Sequence, residues 1–362
     1  MFDKAQTIIS SKTAGTIEDM CLSVLSQITD NNILKISFFG KAQSNDEYLQ
    51  NIATLKSIVQ SYYADGAPLI SYIAQESHAE KLIAEVTFLT GSSATIERHR
   101  NFTLLKDGDC AELITGGIIP DDMSASTYEQ ASSIFKGIEK MLHANGFEPS
   151  DIYRQWNYIQ GITMLNDGSQ NYQEFNDARS IFYNKSQWSN GYPAATGIGA
   201  DAGGVVVEIN AIKSHDKSLP IDNPLQIAAH NYSQNVLDGK VIEALKEKST
   251  PKFERARLLG NTIFISGTAA IKGEQSIGSQ NAVEQTAETM GIMDRLVSKE
   301  NIPTPNNGSH YDLLRVYVKR KKDIDAVKEY MDTHYPAALK HYLVADVCRP
   351  ELLVEIEGIA HI

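Results

Sequence analysis

The chain of 362 residues is 42% hydrophobic and 22% charged, proportions that allow a sizeable core and two or three modules of ordinary size. Its 33 basic and 45 acidic residues leave a net charge of −12, which argues against broad affinity for nucleic acid or an anionic membrane. A small anionic substrate would then need a local basic pocket.

In chain order, ILKISFFG reads as a strand and DEYLQNIATLKSIVQSYY as a helix that turns Leu49, Ile52, Leu55, Ile58 and Val59 inward, a partial lobe over residues 1–105. Arg98-His99-Arg100 reads as a solvated charge cluster. A full module is predicted over 106–215: LITGGII as a strand, YEQASSIFKGIEKMLHANGF as a helix with Ala131, Ile134, Phe135, Ile138, Met141 and Leu142 at helical spacing, DIYRQWNYIQGI as a strand, YQEFNDARSIFY as a second helix, then YPAATGIGADAGGVVVEINAI. The glycine spacing in TGIGADAGG is wrong for a dinucleotide fingerprint and predicts a turn between strands. Residues 216–254, rich in Pro, Asp, Asn and Ser, read as a connecting segment.

The same order returns over 255–362: IFISGTAAI, NAVEQTAETMGIMDRLVSKENI, YDLLRVYVKR, KDIDAVKEYMDTH and YPAALKHYLVADVCRPELLVEIEGIA. Gln130 and Gln285 occupy comparable helix positions, Tyr-Pro-Ala-Ala follows each second helix, and each module ends on an apolar strand containing Glu-Ile-(Asn/Glu), so residues 110–213 and 255–362 are expected to superpose as copies. In the last strand Glu355 and Glu357 share a face, which meets either water or a substrate. Cys21, Cys110 and Cys348 are too few and too scattered for a disulfide framework or a metal site, and the nine histidines show no ligand spacing, so no metal is expected. The opening MFDKAQTIISSKTAGTIEDM lacks the apolar core of a signal peptide, and no apolar run reaches the roughly 18 residues of a membrane span; the cytoplasm is the expected location.

The module order, with S-G-(T/Q)-A, Y-P-A and E-I-E, resembles the RidA/YjgF family of small trimeric proteins, whose ligand clefts lie between subunits. Two joined modules and a fraction look like the chorismatases, which remove the enolpyruvyl group of chorismate. The stretches that carry the narrower resemblance are RQWNYIQGI (154–162), FNDARSIFY (175–183), YPAATGIG (192–199), DNPLQ (222–226), FERAR (253–257), FISGTAAIKGEQS (264–276) and CRPELLVEIEG (348–358). The resemblance implies an α/β fold of tandem RidA/YjgF-like modules with mixed sheets backed by helices, a small anionic substrate (chorismate), no cofactor and a possible homo-oligomer.

It also implies site residues. Opening the enol ether requires a proton on the methylene carbon, and a carboxyl held protonated by apolar neighbours supplies it. The family's acid falls on Glu355, with Glu357 beside it on the substrate face. Cys348 with Gly267 is the combination of the 3-hydroxybenzoate-forming type, in which the substrate's own hydroxyl, rather than water, reacts. Gly267 would leave room beside the ring. Arg179 and Arg255 are candidate carboxylate clamps, and Tyr192, Tyr232, Thr268 and Trp156 candidate lining. The bland alternatives are a solvated edge strand for the two glutamates, a buried apolar role for Cys348, surface salt bridges for the arginines and a core position for Trp156. The sequence departs from the family's N-P-R-Q at Leu225, which removes one carboxylate contact. A Rid-type imine deaminase would carry arginine after Pro-Ala, where this chain has Ala195 and Ala338. A non-catalytic small-molecule binder on the same fold is the remaining alternative.

Overall fold

The computed structural model describes residues 2–29, 32–91, 94–215, 218–278 and 280–362. The first unit runs β1 (Lys4–Ser10), α1 (Ile17–Leu25), β2 (Ile33–Gly40), α2 (Asn45–Tyr63), β3 (Leu69–Ala74) and β4 (Ile83–Leu89), with strand order β1-β4-β2-β3. Strand β3 is parallel to β2 because the helical crossover α2 returns the chain to the same end of the sheet, and the other pairings are antiparallel. The lobe expected to be partial therefore holds all four strands and both helices of a module. Its first strand is only half-buried and α1 has nine residues, too weak a periodic signal to stand out in the sequence.

The second unit begins with the hairpin β5 (Thr95–Arg98) and β6 (Phe102–Asp107), ahead of residue 106. It continues through β7 (Cys110–Thr115), α3 (Thr127–Ala144), β8 (Ile152–Gln160), the small hairpin β9 (Leu165–Asn166) and β10 (Ser169–Gln170), α4 (Asn171–Tyr183), β11 (Ala194–Ala200) and β12 (Val205–Lys213). The third has β13 (Leu219–Ile221), β14 (Ala256–Leu259), β15 (Thr262–Ala269), the hairpin β16 (Ile271–Lys272) and β17 (Gln275–Ser276), α5 (Ala282–Leu296), β18 (His310–Val318), α6 (Ile324–His334), β19 (Leu339–Val344) and β20 (Val354–His361). Their main sheets run β11-β8-β12-β7-β6-β5 and β13-β14-β15-β20-β18-β19, so the four-strand order of the first unit recurs twice. The architecture is α/β with mixed sheets backed by helices.

Local chemistry explains the repeats. Ser126 and Glu129 form a reciprocal capping box on α3, and Asn281 caps α5 through the Val283 and Glu284 amides. Gln130 accepts a hydrogen bond from the Val205 amide at 2.9 Å and Gln285 from the Leu353 amide at 2.8 Å, so the paired glutamines tie each first helix to the start of its fourth strand. The apolar inner faces of all three sheets merge into one core that takes Phe38 and Tyr72 from the first unit, Tyr158 and Val206 from the second, and Tyr317 and Leu343 from the third.

Between units, each third strand approaches the first strand of the next unit: β11 lies against β15, β19 against β1, and Ile70 on β3 against Gly116 just past β7. The TGIGADAGG run expected as a turn is split. Gly197 and Gly199 lie inside β11, where a Cβ would come within 2.8 Å of the Tyr172 ring and of the Asp346 carbonyl respectively, and Gly203 with φ +101° makes the turn. Arg98-His99-Arg100 lines the cleft between the first two units. His99 and Arg100 are exposed there, while Arg98 is half-buried and donates to the Ile33 carbonyl at 2.8 Å.

Candidate active site

A cavity of about 370 Å³ opens at the β11/β15 seam. Ala195 and Gly197 of β11 and Gly267 and Ala269 of β15 form facing walls in small residues, because on each strand residues two apart share a face. Tyr172, Gln173 and Asn176 of α4 close one end; Gln226, Tyr232 and Phe253 cover another. Residues 216–254, expected to be a connector, thus supply a strand of the third sheet and part of the cavity lining.

Glu355 projects into this space from β20, in register with Ala269. It is 4% exposed, and no described residue donates a hydrogen bond to its carboxyl. Burial, and then the negative charge of Glu357, push its pKa up to about 8. Gly267 exists for this carboxyl rather than for open space: a Cβ there would sit 2.1 Å from Glu355 Oε1 and 3.1 Å from the Thr196 methyl. Cys348 lines the same wall, and burial followed by Glu355 raises its thiol to about 12, so it is a neutral, polarisable contact rather than a thiolate.

Glu357 lies on the same strand face but outside the cavity, in a buried ionic centre. Arg154 and Thr196 bind its Oε2; its Oε1 accepts from Tyr317 at 2.7 Å, Arg315 at 3.1 Å and Trp156 at 3.2 Å. Burial opposes the charge, but the Arg154 and Arg315 guanidiniums hold this carboxyl below its ordinary range. With five donors already on it, Glu357 has no capacity for substrate, contrary to the substrate-face reading. Trp156 belongs to that centre and not to the ring site; Arg154 stacks 4.5 Å from its ring centroid.

The cationic side of the cavity is Arg255 with Arg349. Their guanidinium carbons stand 5.5 and 5.6 Å from the Tyr232 ring centroid. Arg255 Nη2 donates to Tyr232 Oη at 2.8 Å, and its buried Nε has no partner; Arg349 Nη1 donates to the Glu274 carbonyl at 2.9 Å. Arg179 is 2% exposed behind this surface, bonded at 2.6 Å to Asn176, which lines the cavity in its place. Tyr192 packs with Tyr183 and Trp188 away from the cavity, and Thr268 points to the opposite face of β15, where it donates to the Ser266 carbonyl at 2.9 Å. Leu225 is 39% exposed and outside the lining, so the cavity's own cations stand elsewhere. Arg349, missed by the sequence reading, sits beside Cys348 in the CRPELL stretch, and that adjacency is the signal that could have found it. Among the described residues no group of three potential metal ligands occurs, and no helix is long and apolar enough to cross a membrane.

Residues 87–211 match the model of the N-terminal domain of FkbO/Hyg5-like chorismatases. The chain is 30% identical over 229 residues to a 3-hydroxybenzoate synthase of Streptomyces hygroscopicus. Over these stretches the chain is similar to chorismatases. The alignment with that synthase covers 59% of this chain and 64% of the relative's length; a chorismatase of the same organism is 28% identical over 257 residues, 67% of this chain and 70% of that one. A crystal structure of a chorismatase superposes with a TM-score of 0.74 at 21% identity, covering 99% of this chain and 98% of that one, which shows that the fold is shared.

Proposed function

We propose that the chain cleaves the enolpyruvyl ether of chorismate to pyruvate and 3-hydroxybenzoate, with Glu355 as general acid. The observation that carries this is an unpaired, buried carboxyl facing a cavity that holds two guanidiniums, the combination a dianionic acid-labile ether needs. Glu355 delivers its proton to the methylene carbon, giving an oxocarbenium ion at the ether carbon. The ring carbon–oxygen bond then breaks and pyruvate leaves. The ring's own hydroxyl attacks the carbon that pyruvate leaves and its proton returns to Glu355; the oxygen's bond to its original carbon then opens and the hydrogen on the attacked carbon shifts, so the ring aromatises with that oxygen retained and no water or cofactor enters the balance. The similarity to a 3-hydroxybenzoate synthase and the Gly267/Cys348 pair support that product over the diene diol of water addition. Ala195, in the cavity wall, stands where an imine deaminase of the Rid type would need its arginine.

Purified protein incubated with chorismate should release pyruvate in step with 3-hydroxybenzoate, read by a coupled pyruvate assay and chromatography against standards. Absence of pyruvate would overturn the proposal, and a diene diol as sole product would overturn the subtype. The pH dependence has a definite sign. The acid must be protonated and titrates at about 8, so turnover should be flat below that value and fall as pH rises through it.

The guanidiniums make a separate prediction. Arg349→Met should raise KM by roughly 10–100-fold, the worth of one charge-assisted hydrogen bond or two, and leave kcat nearly unchanged. A fall in kcat at constant KM would show that Arg349 acts on the transition state and not as a clamp.

A further inference from the structure

The three units place an acid and a cation at matching points. On β4, β12 and β20, Glu85, Glu208 and Glu355 face Ser37, Trp156 and Tyr317, each two residues beyond a cation of the neighbouring strand: Lys35, Arg154 and Arg315. At two of the three seams the cation of one unit neutralises the acid of the next. Lys35 Nζ lies 2.6 Å from Glu208, and Arg315 holds Glu85 through Nε at 2.7 Å and Nη2 at 2.8 Å. Completing the cycle would give Arg154 to Glu355. Arg154 instead binds Glu357, which faces Arg315 across β20 and β18 where the other units have Thr87 opposite Lys35 and Asn210 opposite Arg154.

We propose that Glu357 is a positioning residue that draws Arg154 away from Glu355, leaving Glu355 the member of this triad of acids without a counter-cation. Thr196 connects the two sites. Arg154 Nη2 donates to Thr196 Oγ1 at 2.9 Å, the Thr196 methyl and Glu355 Oε1 both flank Gly267, and Arg154 Nη1 is buried without a partner. The other polar groups around Glu355 do not replace it as a counter-ion. Tyr317 of β18 gives its hydroxyl to Glu357; Tyr172 of α4 and Cys348 are held neutral by burial; and Arg255, Arg349, Tyr232 and Glu351 lie on other stretches of the cavity wall. The extra acid thus converts a structural ion pair, kept at the other two seams, into a protonated carboxyl. The functional meaning of this device rests on Glu355 being the general acid; the charge arrangement itself does not.

The test reads Glu355 directly, by carbon-13 NMR titration of glutamate carboxyls in ligand-free protein, the signal assigned by its loss in Glu355→Gln. In wild type it should titrate at about 8. In Glu357→Gln, with Arg154 released, it should titrate about 1–3 pH units lower, and the high-pH limb of pyruvate release should move with it. In Glu357→Gln/Arg154→Met it should return to within about one pH unit of wild type, since burial, the larger cause, persists. An unmoved Glu355 in Glu357→Gln, or a double variant that titrates like the single, overturns the proposal. If Glu357→Gln does not fold, Glu357→Gln/Arg154→Lys set against Glu357→Gln/Arg154→Met carries the comparison, the lysine keeping the charge; equal titration in the two overturns it. A wild type that makes no pyruvate defeats the chorismate reading while leaving the titration decisive here.

Discussion

Glu355→Gln should reduce pyruvate release from chorismate by ~10²–10⁴-fold, the usual worth of a positioned general acid. The amide keeps the shape of the carboxyl in its 4% exposed site between Gly267 and Cys348, so the loss measures the proton and not the packing. Stability should move the other way. The folded-state pKa of about 8 lies above the ordinary 4.5, so the protonated carboxyl's contribution is complete below 4.5 and is lost as pH rises through 8. Wild type should therefore lose thermal stability across that window, and the glutamine variant, which cannot ionise, should lose less. Near-normal turnover in a folded Gln variant would remove Glu355 from the mechanism.

Gly267→Ala should be nearly as damaging, by a different route. The added methyl would fall 2.1 Å from Glu355 Oε1, and the side chain can relieve that contact only by swinging its carboxyl aside. Misplacement on this scale costs on the order of 10²-fold in rate. The displaced acid moves toward Cys348, the neighbour whose thiol feels its charge, so Gly267→Ala/Cys348→Ala should recover part of the rate by making room. Its products should shift from 3-hydroxybenzoate toward the diene diol of water addition, because the acid no longer sits where the ring hydroxyl's proton returns. Chromatography of the single and double variants decides this. An alanine variant with wild-type rate and product would show that Gly267 neither positions the acid nor steers the outcome.

Much of the fold was legible because its signals are local. Helical spacing over Ala131–Leu142, each Tyr-Pro-Ala-Ala stretch and the surroundings of Gln130 and of Gln285 each fall within a short window, and their recurrence announced a repeated strand and helix order. The first unit read as only a partial lobe because β1 is half-buried and α1 short, so their pattern is diluted by exposed residues even though its strand order is the same. The glycines of β11 escaped for another reason. A glycine demanded by a neighbour's approach looks, in sequence, like a glycine demanded by a turn.

The site divides along the same line. Glu355, Gly267 and Cys348 were selected through the family resemblance and Arg255 and Tyr232 through their residue chemistry, and all five line one cavity. Arg179, Tyr192, Thr268 and Glu357 were equally plausible in type, and the tertiary structure sends each elsewhere. Alternation along a strand puts Glu355 and Glu357 on one face and cannot say which is neutralised. That depends on Arg154 and Arg315, which reach Glu357 across 203 and 42 residues of chain, and on Gly267 being close enough to leave Glu355 alone against an apolar wall. Periodicity determined the modules and put two glutamates on one face, and the family resemblance nominated the acid; charge partners brought together from three distant segments decided which acid keeps its proton, because an ion pair is a property of approach in space and leaves no period in the sequence.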